Sequence, residues 1–297
     1  MNGAPILLFG AGGQLGRELT ALAHERGVPL VGLTRAEGDI TDRAAVVTAL
    51  KAHRPGLVVN VAAFTAVDRA ESETVAAFAA NAEGPAILAE ATADAGLPLL
   101  QVSTDYVFDG SKAGPYVESD PVAPLGAYGA SKSEGEVCIR ALQSRHIILR
   151  TAWVYGVHGA NFLKTMLRLA AERDVLRVVA DQRGSPTATR DLAEAILAVR
   201  AALLAGAEPW GTYHIAGQGE TTWHGFASAI IAEQARFTGR HPVVEAITTA
   251  DYPTPARRPA NSVLDSSLFA TTFGYRAKPW QERMREVVAS LMAQRVS

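Results

Sequence analysis

A doubly wound α/β fold, with a parallel sheet covered by helices on both faces, is what the first half of this 297-residue sequence predicts. Short and nearly all-apolar runs alternate there with helix-period segments, the pattern of strands buried on both sides. A glycine-rich turn, Gly10-Ala11-Gly12-Gly13-Gln14-Leu15-Gly16, joins the first such run to the first helical segment. Beyond about residue 152 the alternation loosens into helices joined by long turn-rich stretches, which predicts a smaller lobe of mixed α/β structure.

In order, Ile6–Phe9, Leu30–Leu33, Leu57–Val61, Leu97–Val102 and Ile147–Leu149 read as strands. Between them Gln14–Arg26, Asp42–His53, Thr74–Ala95 and Tyr128–Ser144 read as helices. The third helical stretch is too long for one straight crossover, and Gly84-Pro85 marks a break within it. In the second half Asn161–Arg173, Asp191–Ala205, Thr222–Thr238 and Trp280–Gln294 read as helices. Arg177–Ala180 and Thr212–Ala216 read as short extended pieces among turn-rich stretches such as Asp181–Thr189 and Tyr252–Ser262. There is no internal repeat and no low-complexity tail, and the Ala-rich runs are helix interior.

The composition, 48% hydrophobic and 20% charged with a formal charge of −2, is that of an ordinary soluble protein. It gives no electrostatic reason to expect nucleic acid or an anionic membrane as partner. Cys138 is the sole cysteine, so no internal disulfide can form and a reducing compartment fits; its thiol reads as a small apolar group rather than a nucleophile. Met1–Pro5 carries no secretion signal, and no apolar run is long enough to cross a bilayer, so a cytoplasmic protein is expected.

The glycine turn has a strand before it and a helix after it. Without side chains, its backbone can approach a pyrophosphate closely, and the following helix offers free N–H groups and partial positive charge. Glycines at 10, 13 and 16 give a G-x-x-G-x-x-G spacing, while Gly10 and Gly12 begin the G-x-G form. This predicts a Rossmann-type dinucleotide-binding domain over residues 1–152, with later segments interleaved, and a largely substrate-binding lobe over 153–297. The second strand ends Leu33-Thr34-Arg35. An arginine there suits the 2′-phosphate of NADPH, while the nearby Glu37 leaves NADH open. Asp39-Ile40 lies where such folds hold the adenine, and Asp39 or Thr41 equally fits a cap for the helix starting near Asp42.

Tyr128 and Lys132 are four residues apart on a predicted helix and so share a face. A cation beside a phenol favours the phenolate, and a phenol so tuned exchanges a proton at neutral pH. Ser103-Thr104-Asp105 follows the fourth strand at the carboxyl edge of the sheet, where ligands of open α/β sheets collect. The Thr104 hydroxyl can donate to a substrate carbonyl while Tyr128 protonates it and Lys132 holds the nicotinamide ribose.

Longer strings sharpen this reading. They are Val59-Asn60-Val61-Ala62-Ala63-Phe64-Thr65-Ala66-Val67-Asp68-Arg69-Ala70-Glu71, Ser103-Thr104-Asp105-Tyr106-Val107-Phe108-Asp109-Gly110 and Tyr128-Gly129-Ala130-Ser131-Lys132. Arg150-Thr151-Ala152-Trp153-Val154-Tyr155-Gly156, Asn161-Phe162 and Asp181-Gln182-Arg183-Gly184-Ser185-Pro186-Thr187 complete them. With these the chain resembles the extended short-chain dehydrogenases/reductases and, within them, the branch of dTDP-4-dehydrorhamnose reductases, almost end to end. The resemblance implies that Gly10, Ala11, Gly12, Gly13, Gln14, Leu15, Asp39, Ile40, Ala63, Phe64, Thr65, Tyr128 and Lys132 hold the cofactor. It implies that Thr104, Asp105 and Trp153 touch a dTDP-linked deoxysugar, with Trp153 as an apolar wall unless it is core packing. The family usually has a small polar residue or histidine where Phe64 stands.

A lobe that holds a nucleoside diphosphate needs cations. Arg183, Arg190, Arg257 and Arg258 are the candidates; Asn161, Arg183 and Arg258 join the expected substrate contacts, while His214 reads as packed or capping. Some family members are magnesium-dependent dimers through acidic surface residues. Those acids have no match here residue by residue, so no metal is expected, and a homodimer is an expectation from the resemblance alone. The implied reaction is reduction of the C4 keto group of dTDP-4-dehydro-L-rhamnose. Two alternatives stand beside it: a nucleotide-sugar epimerase or dehydratase of the same fold, and a non-catalytic regulatory subunit like the beta subunit of methionine adenosyltransferase. Dehydratases resembling this fold have Asp-Glu after the threonine, whereas Asp105 is followed by Tyr106.

Overall fold

The computed structural model describes residues 3–296. Met1, Asn2 and Ser297 lie outside them, and with them the first residues of the stretch read as free of a leader. The chain begins β1 (Ile6–Phe9), α1 (Gln14–Glu25), β2 (Leu30–Leu33), α2 (Arg43–His53), β3 (Leu57–Asn60), α3 (Val67–Ala70) and α4 (Thr74–Phe78). A π-helical segment (Ala79–Glu83) leads into α5 (Gly84–Asp94), β4 (Leu99–Thr104), a short 3-10 turn (Asp105–Val107), α6 (Ala127–Leu142) and β5 (His146–Thr151). Then come β6 (Val154–Tyr155), α7 (Phe162–Glu172), β7 (Val175–Val179), β8 (Arg183–Gly184), β9 (Thr187–Ala188) and α8 (Thr189–Leu204). The chain ends with β10 (Gly211–His214), β11 (Thr221–Thr222), α9 (Trp223–Thr238), β12 (Val243–Ile247), α10 (Ser267–Phe273) and α11 (Trp280–Val296).

Six parallel strands in the order β10-β5-β4-β3-β1-β2 form the central sheet. The two-residue period of a strand explains why β1 is apolar throughout. Ile6 and Leu8 enter one core with Leu19 of α1 and Leu192 and Ile196 of α8. Leu7 and Phe9 enter the opposite core with Val46, Leu88 and Ile139. The strand order reverses on either side of β1, which opens a crevice between the carboxyl ends of β1 and β3. From the second half of the chain, β10 extends the sheet beside β5, and α8 packs on α1. α10 packs on α8 and β10, while α7, α9, α11 and the parallel pair β7–β12 build a separate core.

Three local expectations shift. β4 runs over Leu99–Thr104 rather than Leu97–Val102, because the Leu97 N–H closes the end of α5 on the Thr92 carbonyl. Thr104 is therefore the last residue of the strand and not a residue beyond it. Gly84-Pro85 does not break its helix; the irregularity is the π-helical turn just before it, and the chain continues helical into α5. The cap of α2 is Asp42, which accepts from the Ala44 and Ala45 N–H groups, while Asp39 accepts from Thr41 in a local turn. β12 and α10 gave no signal in the sequence. β12 is largely exposed and pairs with a single strand, so it carries no buried periodicity.

Candidate active site

The glycines of the first turn do different work. Gly10 has φ +89°, and a Cβ there would lie 2.5 Å from the Ala62 nitrogen. A Cβ on Gly16 would lie 2.3 Å from the Gly10 carbonyl oxygen. Both positions are closed by backbone. Gly12 faces open space, with only Thr34 Cγ2 at 3.8 Å. Helix α1 begins at Gly13 with no side-chain cap and no acidic residue in its first turn. No side chain of the helix's own first turn therefore neutralises its free N–H groups and positive end, and those donors fit a pyrophosphate. Leu15 is buried, so it offers only its backbone.

Arg35 follows β2 with its side chain almost fully exposed and paired to Asp39 at 3.1 Å. Glu37 turns back onto Thr34, accepting from its N–H at 2.9 Å and its hydroxyl at 2.7 Å. These bonds hold the Glu37 carboxyl below the usual carboxylate range. Ile40 is a buried core side chain packed where Gly84 leaves room, so a ligand would meet its backbone.

After β3, the loop Ala63–Thr65 is pinned by a residue that the sequence reading missed. Asn81, in the π-helical turn, accepts from the Phe64 N–H at 2.9 Å and donates to the Phe64 carbonyl at 3.1 Å. The same amide donates to the Ser131 hydroxyl of α6 at 3.0 Å. One buried side chain therefore ties the loop beside the glycine turn to the helix of Tyr128 and Lys132. A polar residue at a buried helical position was the signal available. The Phe64 ring lies 5.8 Å from the Arg69 guanidinium.

Helix α6 starts where Glu71 accepts from the Ala127 N–H at 2.8 Å, which places Tyr128 in the first turn. Thr104, Tyr128 and Lys132 converge at the carboxyl end of β4. The Thr104 hydroxyl donates to Asp105 Oδ1 at 3.0 Å and hydrogen-bonds the Tyr128 hydroxyl. Tyr106 meets Tyr128 edge-on, ring centroids 5.5 Å apart. The expected acidification of the phenol is not found. Burial pushes the Tyr128 hydroxyl up to about 12, against the Thr104 hydrogen bond, with the Asp105 charge adding to the rise. The Lys132 ammonium instead donates to the Val102 carbonyl at 2.7 Å. Burial brings that lysine down to about 8, opposed by the charge of Glu136. A phenol that keeps its proton at neutral pH is matched to donating it.

Asp105 is 2% exposed, and its Oδ2 has no hydrogen-bond partner. A buried carboxylate oxygen left without a partner suits a ligand hydroxyl. Burial raises this carboxyl to about 6, with the Ser262 and Thr104 hydroxyls pulling the other way. Its folded-state value lies above the ordinary 3.8, so the charged form opposes folding above pH 6, and stability is regained as pH falls from 6 toward 4. Asp105→Asn is therefore expected to raise stability at pH 8 by about 1–3 kcal/mol, a gain that vanishes near pH 4. Thermal unfolding at the two pH values measures it.

Trp153 sits at φ +48°, a left-handed conformation rare for a bulky side chain. Its indole stacks on Trp223 with centroids 3.6 Å apart and planes 8° apart. Gly184 closes on the ring, since a Cβ there would lie 2.3 Å from it. Both indoles are partly exposed, and Trp223 was not singled out from the sequence because the stack spans distant segments. Arg258 is drawn toward the end of β4: it pairs with Asp68 at 2.9 Å, near enough to the Tyr106 phenol for each to shift the other.

The other expected substrate residues are engaged elsewhere. Asn161 caps α7, accepting from the Lys164 N–H at 3.1 Å and donating to the Gly156 carbonyl at 2.9 Å. Arg183 is exposed and paired with Glu220 at 2.6 Å, although its backbone joins the loop at Ala260 and Ser262. Arg190 is held by Glu25 and Glu194 where α8 packs on α1, which removes it from the candidates for a phosphate. His214 is fully buried against the Tyr116 carbonyl, as a packed residue.

Over residues 4–293 the chain matches the family described as RmlD substrate binding domain. It is 43% identical over 290 residues to a dTDP-4-dehydrorhamnose reductase of Aggregatibacter actinomycetemcomitans, covering 96% of this chain and 99% of the relative. The crystal structure of such a reductase from Clostridium acetobutylicum superposes with a TM-score of 0.90 at 40% identity, over 97% of this chain and 99% of the other. One from Bacillus anthracis, solved in complex with NADP, gives 0.88 at 33% identity, again over 97% and 99%. No described helix is long and apolar enough to cross a membrane.

Proposed function

Because the chain belongs to the dTDP-4-dehydrorhamnose reductase family, we propose that it reduces the C4 keto group of dTDP-4-dehydro-L-rhamnose to give dTDP-L-rhamnose. The observation that carries this reading is the convergence of Thr104, Asp105 and Tyr128 at the carboxyl end of β4, together with a glycine turn whose helix has no side-chain cap and no acidic residue in its first turn. The bound nicotinamide supplies the hydride that adds to C4. The chain's own residues do the rest. With the sugar bound, the Thr104 hydroxyl turns from Asp105 Oδ1 to donate to the C4 oxygen and polarise it. The Tyr128 hydroxyl gives that oxygen its proton as the carbon is reduced, so one hydride and one proton convert C=O to CH–OH. Asp105 Oδ2 accepts from a neighbouring sugar hydroxyl. Lys132 holds the ribose of the cofactor, Trp153 walls the pocket, and Arg258, beside Asp68, supplies a cation for the diphosphate.

NADPH is the cofactor of this reading. Glu37 is turned onto Thr34 and so is not aimed at a ribose, while the exposed Arg35 has only its surface pair with Asp39 to leave in order to reach a 2′-phosphate. Arg35→Gln is expected to raise KM for NADPH about 10- to 100-fold, the worth of one charge-assisted hydrogen bond, and to leave KM for NADH unchanged. Equal loss with both cofactors would contradict the assignment. A nucleotide-linked substrate and a chain with one free cysteine both go with the cytoplasm.

NADPH absorbance followed with dTDP-4-dehydro-L-rhamnose tests the proposal. Stoichiometric oxidation supports it. Turnover without net NADPH oxidation points to an epimerase or dehydratase, and none with any 4-keto sugar points to a regulatory subunit. The residue after Asp105 speaks against a dehydratase: a tyrosine stands where those enzymes have a glutamate, and burial raises its phenol, so it keeps its proton and is no base for taking one from the sugar ring.

A further inference from the structure

A buried ion pair behind the catalytic helix has no part in the reaction as described. Glu136 lies one turn beyond Lys132 and two beyond Tyr128, so the three residues share one face of α6. Glu136 is 1% exposed and Arg150, on β5, 3%. Glu136 Oε1 accepts from the Ser103 hydroxyl at 2.6 Å and from Arg150 Nε at 2.9 Å. Oε2 accepts from Arg150 Nη2 at 2.6 Å and Arg140 Nη1 at 3.1 Å. Burial works against the Glu136 charge, but these donors hold the carboxyl below its usual range, so it is ionised.

The contacts of β4 follow that helix face residue by residue. Thr104 meets Tyr128, the Val102 carbonyl takes the Lys132 ammonium, and Ser103 between them bonds Glu136. Buried ion pairs contribute little net stability, and apolar residues of similar volume often serve as well or better. This one stands where two strands and the catalytic helix must keep register. We propose that Glu136 is a positioning residue for the reaction: clamped by Ser103 and Arg150, its carboxylate fixes the helix bearing Tyr128 and Lys132 against the strand bearing Thr104, and it gives the lysine its counter-charge.

The proposal takes the role of Lys132 from the reductase reading, but the clamp acts on Lys132 whether or not sugar is bound. The titratable and charged groups around Lys132 come from several elements. Tyr128, Glu134, Glu136, Cys138 and Arg140 are on its own helix, Asp105 and Tyr106 follow β4, His146 and Arg150 are on β5, Asp68 and Arg69 on α3, and Glu90 and Asp94 on α5. The π-helical segment adds Glu83, which is exposed. Among these Glu136 opposes the effect of burial on the lysine.

The test is the titration of Lys132 Cε by NMR in the full chain labelled with ¹³C-lysine, beside the pH profile of kcat. A lysine needed in its charged form loses activity as pH rises through its pKa, so the alkaline limb tracks that titration. In Glu136→Gln both are expected to move down by about one pH unit. That variant leaves Arg150 buried and unpaired, so Glu136→Gln/Arg150→Met, which removes both charges and keeps the volume, is measured alongside. It is expected to fold and to show a downward movement of the same sign. Ser103→Ala keeps the charge and removes one anchor; kcat is expected to fall about three- to tenfold with the Lys132 titration unmoved. Lys132 titrating within about 0.3 pH unit of wild type in the folded double variant overturns the proposal. A moved titration in a chain that oxidises no NADPH with the sugar leaves the clamp standing and removes the reductase reading instead.

Discussion

Tyr128→Phe is expected to lower kcat by about 10²- to 10⁴-fold while NADPH still binds with close to its wild-type affinity. The substitution removes one oxygen and leaves the ring where it is, because Tyr106 continues to meet it edge-on at 5.5 Å. Gly129, the next residue, sits against the Tyr106 carbonyl, where a Cβ would approach to 2.2 Å, so the helix start cannot slide to compensate. Thr104 would still polarise the carbonyl, but a threonine hydroxyl is far too weak an acid to replace the phenol at neutral pH. Stopped-flow NADPH oxidation gives kcat, and cofactor fluorescence gives binding. Wild-type turnover in the variant would remove Tyr128 as the proton donor.

The second large effect separates two glycines. Gly10→Ala is expected to cost about 2–4 kcal/mol of stability, since φ +89° strains any L side chain and the new methyl would overlap the Ala62 backbone. The melting temperature should fall on the order of 5–15 °C, and cofactor binding should fall with it. Gly12→Ala should behave differently. Its Cβ enters open space, so the fold should melt near the wild-type temperature while the methyl stands in the approach to the helix end and weakens NADPH binding at least about tenfold. Differential scanning calorimetry and cofactor titration separate stability from access. Equal loss of stability in both variants would mean that the glycines serve the turn alone.

The strands and the glycine turn were legible because burial on both faces writes itself as unbroken apolar runs, as in Ile6–Phe9. Tyr128 and Lys132 were legible because helical spacing fixes their shared face. The direction of the phenol's acidity was not. Spacing shows that a cation is near in sequence, but the Lys132 ammonium goes to the Val102 carbonyl, and the extent of burial around Tyr128 depends on the whole fold. Arg190 and Arg258 looked alike as arginines; packing of α8 on α1 claims one for a helix interface, and Asp68 brings the other beside Tyr106. Asn81, Glu136 and Trp223 drew no notice for the same reason, since their partners lie many residues away.

The placement of β10 bears on how this protein can be made. The outermost strand beside β5, and the helix that seals α1, are both translated after residue 188. A nascent chain that has emerged only as far as β5 therefore presents a bare hydrogen-bonding edge and an uncovered apolar side of the sheet, the features that invite association with other chains. The first half of the chain is accordingly not a module that can be excised at residue 152 and swapped into another protein; any chimera that preserves it must carry α8 and β10 as well.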